Sequence, residues 1–315
     1  MFLNTSNAIV HPINVLQRLY MTSSISQDPS ALNLANAHID PIFMQKEIDF
    51  PSCLSRVADL TKKNPYLACN ENSQEEVLAS LKSKEQLKNA VHFGFACEFN
   101  YNIIALRKPL YAFICDISPD MHLIYAQLKK LMLDHPSLDT FKVSLRNLLK
   151  EYSVTSATSE AMDAEELLQH LSREVAFLSN QESYAYVRLM YQANAIFHLN
   201  LDIAKNNTPA FQSIKRWLDD RNCVVDTLYA SNIVEWLKLE DQQAEYRRNL
   251  EHLVYPGRTS FIYAKRLKRA TRPTQIMANA IPQDYIASPK KQRMRAERPS
   301  NNQLSSVVKR LNFND

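Results

Sequence analysis

Apolar positions recur along this chain with two periods, and the places where one gives way to the other carry most of the information. Val91–Ala96, Leu110–Cys115, Ala195–Leu201, Cys223–Ala230 and Phe261–Ala264 are short apolar runs, as strands buried on both faces require. Between them the spacing turns helical: Met121, Ile124, Tyr125, Leu128 and Leu131 follow Ser118-Pro119, and Phe211, Ile214 and Leu218 follow Thr208-Pro209. Each pair supplies a polar cap and a first-turn proline. Helices over Asn100–Lys108 and from Ile233 to about Leu253 complete the alternation. The expected fold class is therefore α/β, a doubly wound, mostly parallel sheet with helices on both faces.

The flanks read differently. Residues 1–40 form an N-terminal arm, with Val15, Leu16, Leu19 and Tyr20 available to pack on the body, and residues 41–90 supply N-terminal helices. One helix follows Pro51 through Leu54, Val57, Ala58 and Leu60. A second is opened by a Ser73–Glu76 capping box and runs to about Asn89. The sheet domain spans 91–265, and its 137–192 stretch, longer than a crossover needs, is a helical insertion. Residues 266–315 follow as a basic tail.

With 45% hydrophobic and 22% charged residues, a chain of 315 can bury a large core. The five cysteines are odd in number and form no C-x-x-C pair, which argues against a disulfide framework and against structural zinc. Scattered histidines without H-E-x-x-H give a metal site no support, and neither a P-loop nor a G-x-S-x-G elbow occurs. No run of about 18 apolar residues exists, and the N-terminus lacks the build of a secretory signal. A cytoplasmic protein without a transmembrane segment is expected. Charge divides unevenly: Lys265–Asp315 holds twelve Lys/Arg against three acids, leaving 25 basic and 30 acidic residues in the body. Such a tail can bind polyanions in a salt-sensitive way and should be removable after Ala264. The alternative is that Ile276, Met277, Ile281, Tyr285 and Ile286 fold back over the sheet.

Ligands of a parallel sheet sit at the carboxyl ends of its strands, near the point where strand order reverses. Only two glycines occur, and Gly94 lies near the end of the first strand, either for close approach of a cofactor or to relieve packing against a helix. Asp116 ends the second strand, where a carboxylate can accept hydrogen bonds from both ribose hydroxyls; Ser118 is there to cap the following helix. Asp202 after the third strand can accept from an adenine amino group or be a solvated loop acid. Ser231 and Asn232 end the fourth strand and would face the reacting end of a cofactor, unless Asn232 caps the next helix. Glu98, Asn100 and Tyr101 occupy the first strand-to-helix turn, where a carboxylate could meet an amino group.

Three of these segments, Glu98-x-Asn100-Tyr101, Ala112-Phe113-Ile114-x-Asp116-Ile117 and Ser231-Asn232-Ile233-x-Glu235, resemble class I S-adenosylmethionine-dependent methyltransferases with a Rossmann-like fold. The similarity is closest to an uncharacterised bacterial subgroup and covers about 91–265. It implies S-adenosylmethionine held by Gly94, Glu98, Asn100, Tyr101, Asp116 and Asp202, with an acceptor brought to Ser231 and Asn232. The acceptor and any catalytic base stay undesignated. Two departures stand out: the glycine-rich turn is reduced to Gly94, and no Asn/Asp-Pro-Pro-aromatic tetrapeptide follows the fourth strand. The alternative is a catalytically inactive methyltransferase-like protein that binds partners through its insertion and tail.

Overall fold

The computed structural model describes residues 46–47, 49, 51, 53, 66–96, 98–151, 155–156, 163–205, 207–267, 270, 272–282 and 285. The arm expected over 1–40, the helix expected through Leu54–Leu60 and most of the basic tail lie outside them. Eight strands are described: β1 (Tyr66–Ala68), β2 (Ala90–Phe95), β3 (Tyr111–Asp116), β4 (Thr155–Ser156), β5 (Ile196–Asn200), β6 (Val224–Tyr229), β7 (Ser260–Lys265) and β8 (Thr274–Ala278). The helices are α1 (Gln74–Ser83), α2 (Phe99–Arg107), α3 (Pro119–Asp134), α4 (Leu138–Glu151), α5 (Ala164–Leu171), α6 (Gln181–Gln192), α7 (Thr208–Asp220) and α8 (Glu240–Leu253). None of them is long and apolar enough to cross a membrane.

Six strands form one sheet in the order β5–β3–β2–β6–β7–β8, parallel except for β8, and β1 pairs with β4 in a separate two-stranded ribbon. Alternation along the strands sorts side chains onto two faces. On one face Phe93, Phe113 and Phe197 sit in register on adjacent strands, their rings stacked 5.7 and 5.0 Å apart, and Trp217 of α7 meets the latter two edge-on. On the other, His92 Nε2 lies 3.0 Å from Asn100 Oδ1 of α2, and His198 lies under Tyr125 of α3 and Tyr191 of α6. Helices therefore cover both faces, as the alternation of periods implies.

Three local expectations are corrected. Ser73 does not cap α1: it is left-handed (φ 63°) with no capping hydrogen bond, because Asn72 is tied into a bridge beside Thr274. The helix expected from Ile233 is broken; a short 3₁₀ turn (Ile233–Glu235) ends at Trp236, and α8 starts at Glu240 after Leu239, which is extended. The sheet also does not stop at residue 265. Strand β8 lies antiparallel on β7, and Tyr285 is buried against Phe261 and Tyr263 with its hydroxyl 2.7 Å from that of Tyr246. The fold-back alternative holds in part: Tyr285 packs onto the body, but Thr274–Ala278 extends the sheet at its edge and does not cover it, and Ile286 lies outside the described residues.

A buried ion pair ties the amino-terminal edge of the sheet together. Arg107, at the end of α2, donates from Nε and Nη2 to the two Asp226 oxygens, each at 2.8 Å, and from Nη1 to the carbonyls of Leu81 and Lys84. Planar two-point pairing suits a guanidinium and a carboxylate, and it lets one side chain join α1, α2 and β6. Arg107→Met should lower unfolding free energy by about 3–5 kcal/mol in denaturant titration, because a buried carboxylate loses its counter-charge. The Arg107→Met/Asp226→Leu double variant should recover much of that loss; a strictly additive cycle would contradict the pairing. Truncation after Ala264 removes β8 and Tyr285, so it should lower the melting temperature rather than merely weaken polyanion binding.

Candidate functional site

All five parallel strands end at the same edge of the sheet, and a cleft of about 470 Å³ opens there. Its lining comes from successive strand ends: Phe95 and Ala96 after β2, Asp116 and Ile117 after β3, Leu201–Lys205 after β5, and Ser231–Ile233 after β6, with Trp236, Leu237 and Gln242 beyond. Cys69 and Asn70, which follow β1, close one side. The chain runs from β2 to β3 and β5 on one side and returns to β6 on the other, so the cleft sits at the reversal of strand order.

Asp116 is the most strongly perturbed carboxyl on the cleft. Burial pushes it up to about 6, against hydrogen bonds from the Ser118 N–H, the Tyr125 hydroxyl and the Ile117 N–H that draw it down. The Ser118 N–H donates to Oδ1 at 2.9 Å and the Tyr125 hydroxyl reaches Oδ2 at 3.4 Å. Ser118 makes no side-chain cap, so the expected division of labour is reversed: Asp116 itself braces the start of α3. Its second oxygen still has lone pairs for a ligand. Asp202 accepts from the Ala204 N–H at 2.9 Å and lies 3.4 Å from Lys205 Nζ.

The two central strands both end in left-handed backbone, Ala96 (φ 59°) after β2 and Ser231 (φ 51°) after β6. A Cβ in this region costs about 1 kcal/mol or more, and such residues cluster where a site is built. Ser231 is held by a residue that the sequence reading passed over. Glu71, nearly fully buried, accepts from the Ser231 hydroxyl at 2.6 Å, the Tyr229 hydroxyl at 2.8 Å and Gln275 Nε2 at 2.8 Å. Burial raises its carboxyl above the usual range, while these three donors lower it. In Cys69-Asn70-Glu71-Asn72-Ser73 it looks like a loop acid, and only the sheet brings its donors together. Asn232 lines the cleft but makes no side-chain cap to the turn after it.

The structure brings Asp116, Asp202, Ser231 and Asn232 together and directs the other four candidates inward. Gly94 has no room for a side chain: a Cβ would fall 1.8 Å from Asn100 Oδ1 and 2.9 Å from His92 Nε2. Its glycine answers packing against α2. Asn100 is fully buried, bridging His92 and the Phe95 and Ala96 carbonyls, so it braces the turn from beneath. Glu98 accepts from the Cys69 N–H at 2.7 Å and lies 3.2 Å from His170 Nε2, and Tyr101 shares a 2.7 Å hydrogen bond with Tyr191. These groups form the wall behind the cleft, not its lining. Among the described residues, no group of three or more His, Cys, Asp or Glu is placed to hold a metal ion.

The model of a domain of unknown function, DUF7790, matches residues 66–310, and the chain belongs to that family. No curated protein matches it.

A raised carboxyl means that ionised Asp116 burdens the folded state. Its favourable contribution is complete below about pH 4 and is lost as pH rises through about 6. Asp116→Asn should therefore raise stability on the order of 2 kcal/mol at pH 7–8, with the gain vanishing below about pH 4. Melting temperatures of both proteins across that range would check it; a gain that does not vary with pH would refute the assignment.

Proposed function

We propose that this DUF7790 protein binds S-adenosylmethionine in the cleft and acts as a methyltransferase. One observation carries the reading: Asp116, a nearly buried carboxylate, ends the strand next to the first of a β5–β3–β2–β6–β7 sheet and lines the cleft at the reversal of strand order. A carboxylate there can take a ribose diol in two charge-assisted hydrogen bonds. The same order, with an antiparallel strand beside β7, supports reading the sheet as a Rossmann-like methyltransferase fold.

The chain's own groups divide the work. Asp116 would hold the ribose, Asp202 offers an acceptor to a base amino group, and Ala96 brings backbone close where a side chain-free turn is usual. When bound, S-adenosylmethionine supplies an electrophilic methyl group, taken by the acceptor's lone pair as the thioether leaves. The protein's task in such a transfer is mainly to position the two reactants in line. Ser231 and Asn232 lie at the strand end where an acceptor would be presented.

A second reading, a nucleoside-binding protein without transfer chemistry, is favoured by the first turn. Both Glu98 oxygens have partners inside the protein, and Asn100 fills the space beneath the turn, so the methionine end has fewer obvious contacts. Calorimetric titration with S-adenosylmethionine, S-adenosylhomocysteine and NAD tests the cofactor common to both, and methyl transfer from bound S-adenosylmethionine separates them. The first two should bind and NAD should not. Asp116→Ala should weaken binding by about 1.5–3 kcal/mol, and wild-type affinity should fall as pH drops below about 6, because protonation removes an acceptor. Unchanged affinity in Asp116→Ala would remove the ribose role.

A further inference from the structure

Beyond the cofactor's end, the cleft has a second character. Trp236 is 72% exposed although it lines the cleft, and Ile117, another lining residue, is also largely exposed. Scattered exposed apolar residues are ordinary, but an indole on the rim of a concave site, beside Ile233 and Leu237, is a stacking surface. Among the described lining residues, Asp116 and Asp202 are the acids and Lys205 the one cation, and Lys205 already lies 3.4 Å from Asp202. The lining is therefore unfavourable to an anion. Ser231 adds direction: its hydroxyl proton is committed to Glu71, so what it can offer a ligand is a lone pair.

We propose that the acceptor side of the cleft takes an amine carried on a flat apolar ring, with the ring stacked on Trp236 and the amine hydrogen-bonded to Ser231. This rests on the methyl-transfer reading of the cleft and specifies its acceptor class. A flat ring matches the indole face, and an amino group matches both the acceptors at the end of β6 and the acidic balance of the lining. A nucleic acid, which would bring phosphates to that lining, is the competing macromolecule.

The test uses the full chain, loaded with S-adenosylhomocysteine and separately without it, and phenethylamine, phenylacetate and a single-stranded oligonucleotide as probes. The protein has two tryptophans, and Trp217 is only 2% exposed, so emission that shifts on binding reports Trp236. Phenethylamine should shift it saturably and bind about tenfold more tightly than phenylacetate. Measured by calorimetry, Trp236→Ala should weaken phenethylamine about tenfold, Trp236→Phe should retain most of its affinity, and both should leave S-adenosylhomocysteine unaffected. No saturable phenethylamine binding, equal or tighter binding of phenylacetate, displacement of phenethylamine by the oligonucleotide, or an unchanged Trp236→Ala would each overturn the proposal. Failure of S-adenosylhomocysteine to bind counts against the cofactor reading alone, since the unloaded series decides the amine site independently.

Discussion

The shape of the cleft depends on a buried carboxylate that has no cationic partner among the described residues. Glu71 accepts hydrogen bonds from two hydroxyls and an amide, drawn from the end of β6 and from β8, two parts of the chain far apart in sequence. A desolvated carboxyl is costly unless its oxygens are satisfied, so the three donors and the segment that carries Glu71 constrain one another. Through that constraint Cys69 and Asn70 come to lie along the cleft and Ser231 keeps its left-handed turn. Remove the acid and the edge of the site loses its side-chain tie to β6 and β8, leaving the backbone bridge of Asn72 beside Thr274.

Much of the architecture was legible because buried parallel strands leave a distinctive mark. β2, β3, β5, β6 and β7 are short, mostly apolar runs interrupted by few polar residues such as His92, His198, Asp226 and Thr227, as strands buried on both faces require. β8 was hidden for the opposite reason. Thr274–Ala278 is an edge strand with mixed polarity, set among lysines and arginines whose charge dominates any reading of composition. The ribbon of β1 and β4 was invisible because three residues and two carry no period.

The candidate site was legible by half, and the division follows topology. Asp116 is the last residue of β3, Asp202, Ser231 and Asn232 follow β5 and β6 within three residues, and parallel strands deliver their carboxyl ends to a common edge. Glu98, Asn100 and Tyr101 also follow a strand, but α2 is covered by the sheet on one side and by α1 and α6 on the other. Polar groups on a helix enclosed in this way must find partners within the protein, as these do. Ile103, Ile104 and Ala105 a turn later were the available sign that the helix has no wet face.

The pairing of β2 with β6 joins Ala90 to Val224 and Gly94 to Tyr229, across more than a third of the chain. During synthesis from the amino terminus, β2 and β3 can associate early through α2, but the other edge of β2 stays open until β6 has been made. Meanwhile the chain must carry an apolar strand with unpaired amides through the making of α3 to α7. That interval is the vulnerable stage of this protein's life, when a second nascent copy or a chaperone would find the β2 edge available, and it closes only when residue 229 has left the ribosome.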